Sequence, residues 1–119
     1  MKPRFLLDEH VDQAIQRQLL RLDPQIDILT VGGFDAPPQG TLDPDILIWI
    51  EERDYILVTA NRSSMPVHLG DYLAEDRHIP GILWIRPSSS IGDIVNALYL
   101  IWYASTADEF QDRTFFIPL

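Results

Sequence analysis

A chain of 119 residues, 46% apolar and 23% charged, has the size and balance of one globular domain built around its own core. It contains no cysteine, which excludes disulfide staples, thiol nucleophiles and cysteine-ligated zinc. Eighteen acidic against nine basic residues give a net charge of −9, which weighs against tight, unaided binding to a phosphate backbone and towards a protein, a small molecule or a cationic ligand.

The elements alternate along the chain. Residues 4–7 (RFLL) form a short apolar run read as a strand, and Asp12 stands as helix N-cap before AIQRQLLRL, whose Ile15, Leu19 and Leu22 share a helical face. Asp23-Pro24 ends that helix, because a residue before proline is pushed out of the α region. IDILTV (26–31) alternates as a second strand, and GGFDAPPQGT (32–41) is a turn-rich loop. LDPDILIWIEERD opens a second helix with Asp43 as N-cap and Pro44 at the first helical position. That helix is apolar nearly all round, so it is expected to be buried against a sheet or a partner.

YILVT (55–59) and GILWI (81–85) are continuous apolar runs, as expected of strands covered on both faces. Between them a short helix follows Pro66, weakened by Gly70. Ser90 and Asp93 resemble a capping box for a helix carrying Ile91, Ile94, Val95, Leu98, Ile101 and Trp102 on one face. The terminal TFFIPL reads as an edge strand. Together these predict an α/β fold, a three-layer α/β/α sandwich with a mostly parallel sheet, forming a single domain over residues 1–119. No apolar run approaches the ~18 residues of a membrane span, and MKPRFLLDEH turns acidic too early for a signal peptide. A cytoplasmic location without membrane contact is the resulting expectation.

In parallel sheets, sites form outside the carboxyl ends of the strands. Three polar clusters fall there by chain order: Asp8-Glu9-His10, Asp43 with Asp45, and Ala60-Asn61-Arg62-Ser63-Ser64. Carboxylates converging from separate segments suit a hard divalent ion such as magnesium or manganese. The bland alternatives are an N-cap for Asp43, a turn-capping carboxylate for Asp8 and a polar turn residue for His10. Ser63 and Ser64 lack a nucleophile-elbow signature, which rejects serine-hydrolase chemistry. A nucleotide-binding or phosphatase-like domain would need a Gly-rich phosphate loop, whereas Gly32-Gly33 leads into FDAPP rather than a helix.

FLLDEHVDQAIQRQLLRL, LDPDIL, ILVTANRSSMP and GILWIRP, in that order over about residues 4–100, resemble the PIN-like family of small bacterial proteins related to the PIN-domain ribonuclease toxins of toxin–antitoxin pairs. The resemblance implies an acidic pocket holding magnesium or manganese for phosphodiester cleavage of RNA, with an antitoxin-like protein as partner. Asp8 matches the first acidic position, Glu9 accompanies it, and Asp43 or Asp45 matches the acidic residue opening the next helix. The family's further acids after the LVT strand are absent here, where residues 60–64 offer only Asn61 as a neutral oxygen and Ser63 as a hydroxyl. Arg62 is expected either to contact a phosphate or to pair with Asp8 and close the pocket. A site with so few carboxylates should bind metal weakly. Two functions follow: a metal-dependent endoribonuclease using Asp8, Glu9, Asp43 or Asp45, Asn61 and Ser63, or a catalytically inactive PIN-like module acting through a protein partner or as a homo-oligomer.

Overall fold

A computed structural model describes residues 1–119. Its sheet has five strands, β1 (Phe5–Leu7), β2 (Ile28–Thr30), β3 (Ile56–Thr59), β4 (Ile82–Ile85) and β5 (Thr114–Ile117), all parallel and ordered β2-β1-β3-β4-β5. Four helices connect them: α1 (Ala14–Leu22), α2 (Asp43–Arg53), α3 (Met65–Ala74) and α4 (Ile91–Ala104). The architecture is the expected α/β/α sandwich. No helix is long and apolar enough to cross a membrane.

The period of the strands divides the core in two. Phe5, Leu7, Val58 and Leu83 pack with Ile15 and Leu19 of α1 and with Ile94, Leu98 and Trp102 of α4. Leu6, Leu57, Ile82 and Trp84 point the other way, onto Ile46, Leu47 and Ile50 of α2 and Met65 and Tyr72 of α3. Every residue of β1 is inaccessible to solvent. Each such side chain contributes roughly 1.5–3 kcal/mol of burial. The apolar character of α2 is absorbed within the chain, since Ile48 and Trp49 pack against the second cluster and the Trp49 ring lies 5.1 Å from that of Tyr55.

Face and direction together set the hand of each crossover. α2 and α3 lie on one face and carry the chain from β2 to β3 and from β3 to β4; α1 lies on the other face and carries it the opposite way, so these three connections share one hand. The connection through α4 advances the sheet in the direction of α3 but on the face of α1, and its hand is therefore reversed. β5 thus joins the sheet without bringing a helix to the α2/α3 face.

Local expectations fare unevenly. Ser90 Oγ accepts the Asp93 amide at 3.1 Å, as the capping pattern requires. Asp12 instead sits one residue outside the cap, Gln13, with its carboxylate accepting the Ala14 amide at 2.9 Å. The cap of α2 is Leu42, in extended conformation; Asp43 occupies the first helical position and Pro44 the second, so Asp43 is not the N-cap. The Thr106–Glu109 capping box opens a short 3-10 turn at Ala107–Phe110 for which no element was predicted.

The loop before β4 is tied down by charge. Glu51 of α2 accepts from the Tyr72 hydroxyl, from Arg77 Nε at 3.0 Å and from the His78 amide at 3.2 Å. Burial and the Glu51 hydrogen bond push the Tyr72 hydroxyl up to about 12. His78 Nδ1 lies 2.8 Å from Asp112 Oδ2, and the hydrogen bond and charge of Asp112 raise the imidazole above its ordinary 6.5. The Ile79 amide, and then His78, hold Asp112 below its ordinary 3.8. The sign follows by linkage: the His78 contribution is complete below pH 6.5 and disappears as pH rises through the raised value, whereas that of Asp112 is present above 3.8 and disappears as pH falls through the lowered value. A proton-NMR titration should place the His78 midpoint above 6.5, with Asp112→Asn moving it back down; a midpoint at or below 6.5 in the parent chain contradicts this pairing.

Candidate functional site

β1 hands the chain leftward to β2, while β3 stands on its other side, so the winding reverses between them and leaves a crevice at their carboxyl ends. A hollow of about 340 Å³ occupies that crevice. Its acidic walls are Asp8 and Glu9 after β1 and Asp43 at the start of α2; Thr59 and Asn61 close it from β3.

The Asp8 position is dictated by backbone pairing. Its amide continues the ladder to Val58 O at 2.9 Å, and its carbonyl accepts from Val11 at 3.0 Å as the chain turns towards α1. The carboxylate is then gripped on both oxygens: Oδ1 accepts the Glu9 amide at 2.8 Å, and Oδ2 accepts the hydroxyl of buried Thr59 at 2.7 Å. Asp8 and Thr59 belong to adjacent strands, so this bond crosses the seam at which the winding reverses.

Asp43 is held by the β3–α3 loop. Its Oδ2 accepts the Ser64 hydroxyl at 2.7 Å and, at longer range, Asn61 Nδ2 at 3.4 Å. His68, one turn along α3 from Ser64, brings Nε2 to 4.0 Å of the same oxygen. No protein donor reaches Asp43 Oδ1. Glu9 is fixed differently, by the Gly40 amide at 2.7 Å; Gly40 has φ +81°, a left-handed conformation that suits glycine and turns its N–H onto the carboxylate.

The remaining sequence-derived candidates separate. Asp45 is exposed on α2 and does not line the hollow, which resolves the Asp43/Asp45 alternative in favour of Asp43. Asn61 lines it, but Oδ1 is spent on the Ser63 amide and hydroxyl and on the Ser64 amide, at 3.1–3.2 Å, so it acts as a turn-former before α3. Ser63 is exposed and outside the hollow, and the hydroxyl that reaches the site is that of Ser64. Arg62 makes no pair with Asp8: its Nη2 approaches Ile85 O at 3.4 Å and its guanidinium lies over the Phe116 ring, away from the acids. Thr59 and His68 were not anticipated, and Ser64 was placed in the polar cluster after β3 without this role. The i, i+4 relation of Ser64 and His68 across a helix start was the one available signal.

As a donor set for a cation, the hollow is sparse. No three His, Asp or Glu side chains converge in a metal-ligand arrangement. What it offers is Asp8 with lone pairs beyond those used by its two donors, and Asp43 with one oxygen unengaged. That fits a magnesium-like ion, which takes one or two carboxylates, retains its waters and relies on substrate phosphate for further oxygens. It does not fit an enclosed, all-protein cage. No family model, no curated protein and no solved structure significantly matches this chain, so the reading of the hollow rests on its own geometry.

The Thr59–Asp8 clasp predicts a measurable stability term. Thr59→Val keeps the shape and removes the hydroxyl, leaving Asp8 Oδ2 and the Asn61 amide, which Thr59 Oγ1 also accepts at 3.0 Å, without that partner. Urea unfolding should register a loss of about 1–3 kcal/mol, typical of a hydrogen bond to a charged group. A change below about 0.5 kcal/mol would mean that water replaces the hydroxyl without penalty.

Proposed function

We propose that this chain is a PIN-like, divalent-metal-dependent endoribonuclease with a reduced acidic site. One observation carries the reading: Asp8 and Asp43, from segments separated by α1 and β2, line a single hollow at the switch point of a parallel sheet. The order of motifs resembling the PIN-like family supports the same assignment. Asp8 and Asp43 would hold magnesium or manganese, which when bound supplies charge stabilisation at the phosphoryl group and a more acidic water. The chain's own part is positional. Thr59 and the Glu9 amide orient the Asp8 carboxylate, Ser64 and Asn61 orient Asp43, and Glu9 stands anchored by Gly40 at the mouth. With only two carboxylates committed to the ion, affinity in the absence of RNA should be weak, and the phosphate of the substrate completes the site.

Purified protein incubated with single-stranded RNA and manganese should cleave it. Asp8→Asn and Asp43→Asn should each lower the rate by at least about 100-fold, the scale on which positioned charge acts in such sites, while Asp45→Asn leaves it unchanged. Calorimetric titration of manganese should likewise lose its signal in Asp8→Asn. Cleavage that is equal in the parent and Asp8→Asn, or absent from both, removes the enzymatic reading.

A second reading, an interaction module, is favoured by a different feature. A hollow of about 860 Å³ runs between α4 and edge strand β5, walled by Leu100, Ile101, Phe115 and Ile117, with Leu100 63% exposed. Burial of such a surface is a reason for copies of the chain to associate. Light scattering should then give a dimer that Leu100→Glu converts to monomer, and a parent chain that is strictly monomeric at high concentration excludes self-association through this face.

A further inference from the structure

Phe116 lies on the α2/α3 face of β5, in register with Trp84 of β4, and is 43% exposed on this edge strand. Two guanidiniums sit over its ring, Arg62 at 5.1 Å and Arg86 at 5.2 Å from the centroid. Both are anchored by backbone carbonyls, Arg62 by Ile85 O at 3.4 Å and Arg86 by Pro118 O at 2.8 Å. Neither has a carboxylate within ion-pair range, which they share with Lys2, Arg17, Arg21 and Arg113, but these two alone meet over one aromatic ring. Two like charges gathered on one aromatic ring, in a chain with surplus carboxylates, form an anion site with a stacking surface.

The location is as informative as the composition. Arg62 follows Asn61, which lines the acidic hollow, and Arg86 follows β4, so cations and acids share the carboxyl edge of the sheet. From the β1/β3 crevice to β5 is two to three strand spacings of ~4.8 Å, about 10–14 Å. We infer that Arg62, Arg86 and Phe116 form the strand-binding platform of this protein, taking single-stranded RNA by two phosphate contacts and one stacked base and leading it along the sheet edge to the acidic hollow. The inference rests on the ribonuclease reading for its choice of ligand, and its test is made without metal so that the two stand or fall separately.

The probe is a fluorescein-labelled ten-nucleotide oligouridylate, with binding followed by anisotropy in EDTA over a range of salt concentrations. Arg62→Ala/Arg86→Ala should bind at least about ten-fold more weakly and reduce the slope of log K against log salt by about 1.4, two single-strand phosphate contacts at ~0.7 each. Phe116→Ala should weaken binding by about ten-fold with the slope unchanged, as loss of a stacked base requires. Arg17→Ala/Arg21→Ala, which removes two exposed cations from α1, should do neither. Circular dichroism confirms that each variant is folded. Equal losses from the two arginine pairs, or competition by inorganic phosphate as effective per phosphate as by RNA, overturns the platform in favour of bulk charge or a bare anion site. Metal-free binding that behaves as expected, without cleavage in manganese, sinks the nuclease and leaves the platform standing.

Discussion

The structure depends on the burial of β1 between two parallel neighbours. Phe5, Leu6 and Leu7 are sealed on both faces, by α1 and α4 on one side and by α2 and α3 on the other. A strand so enclosed admits no polar side chain until it leaves the sheet, and Asp8 is the first residue to do so. It emerges beside β3, whose last residue, Thr59, is itself buried and needs an acceptor for its hydroxyl. The carboxylate and the hydroxyl answer one another across the strand seam. The acidic hollow is the polar termination of an apolar ladder, and its position needs no further device.

The charge distribution follows a similar economy. Several basic side chains are committed to structural pairs: Arg4 joins Asp27 and the Tyr55 hydroxyl at one end of the sheet, and Arg77 joins Glu51 beside α3. Exposed pairs of this kind add little stability, but they use cations that would otherwise offset the acidity. Arg62 and Arg86 are among the bases outside such pairs, and at the carboxyl edge after β3 and β4 their guanidiniums meet backbone carbonyls and one aromatic ring. An acidic protein can thus carry two unpaired arginines on the same sheet edge as an acidic hollow.

Most of the fold was legible because the signals were local and additive. FLL, ILVT and ILWI are short apolar runs with polar ends, and Ile94, Val95, Leu98 and Trp102 repeat at helical spacing behind a serine cap. The place of Asp8 just beyond the end of a buried strand was legible for the same reason. Asp43 lines the hollow, but its apparent N-cap role was an artefact of the LDP pattern: Leu42 takes the extended cap conformation and shifts the helix start by one residue. That shift releases the carboxylate to face Ser64. The roles of Thr59, Ser64 and His68 were invisible because each acts only on a carboxylate supplied by a distant segment, and Ser63 and Ser64 differ by which side of a turn they occupy. The hand of the last crossover depends on which face α4 chooses, which the periodicity of a helix does not record.

The span of the Asp8–Thr59 hydrogen bond has a consequence for the order in which the chain takes shape. Its partners are 51 residues apart, and every strand in the sheet finds its neighbours only through a helical connection. Contacts of such long sequence separation form late, after loop-closure entropy has been overcome. As the chain emerges from the ribosome, Asp8 appears early with only the neighbouring Glu9 amide to grip it, and the pocket can be assembled only once Ser64 has followed. Until β3 docks, a nascent chain carries the acids as independent, solvated side chains, and the hollow exists only together with the core that supports it.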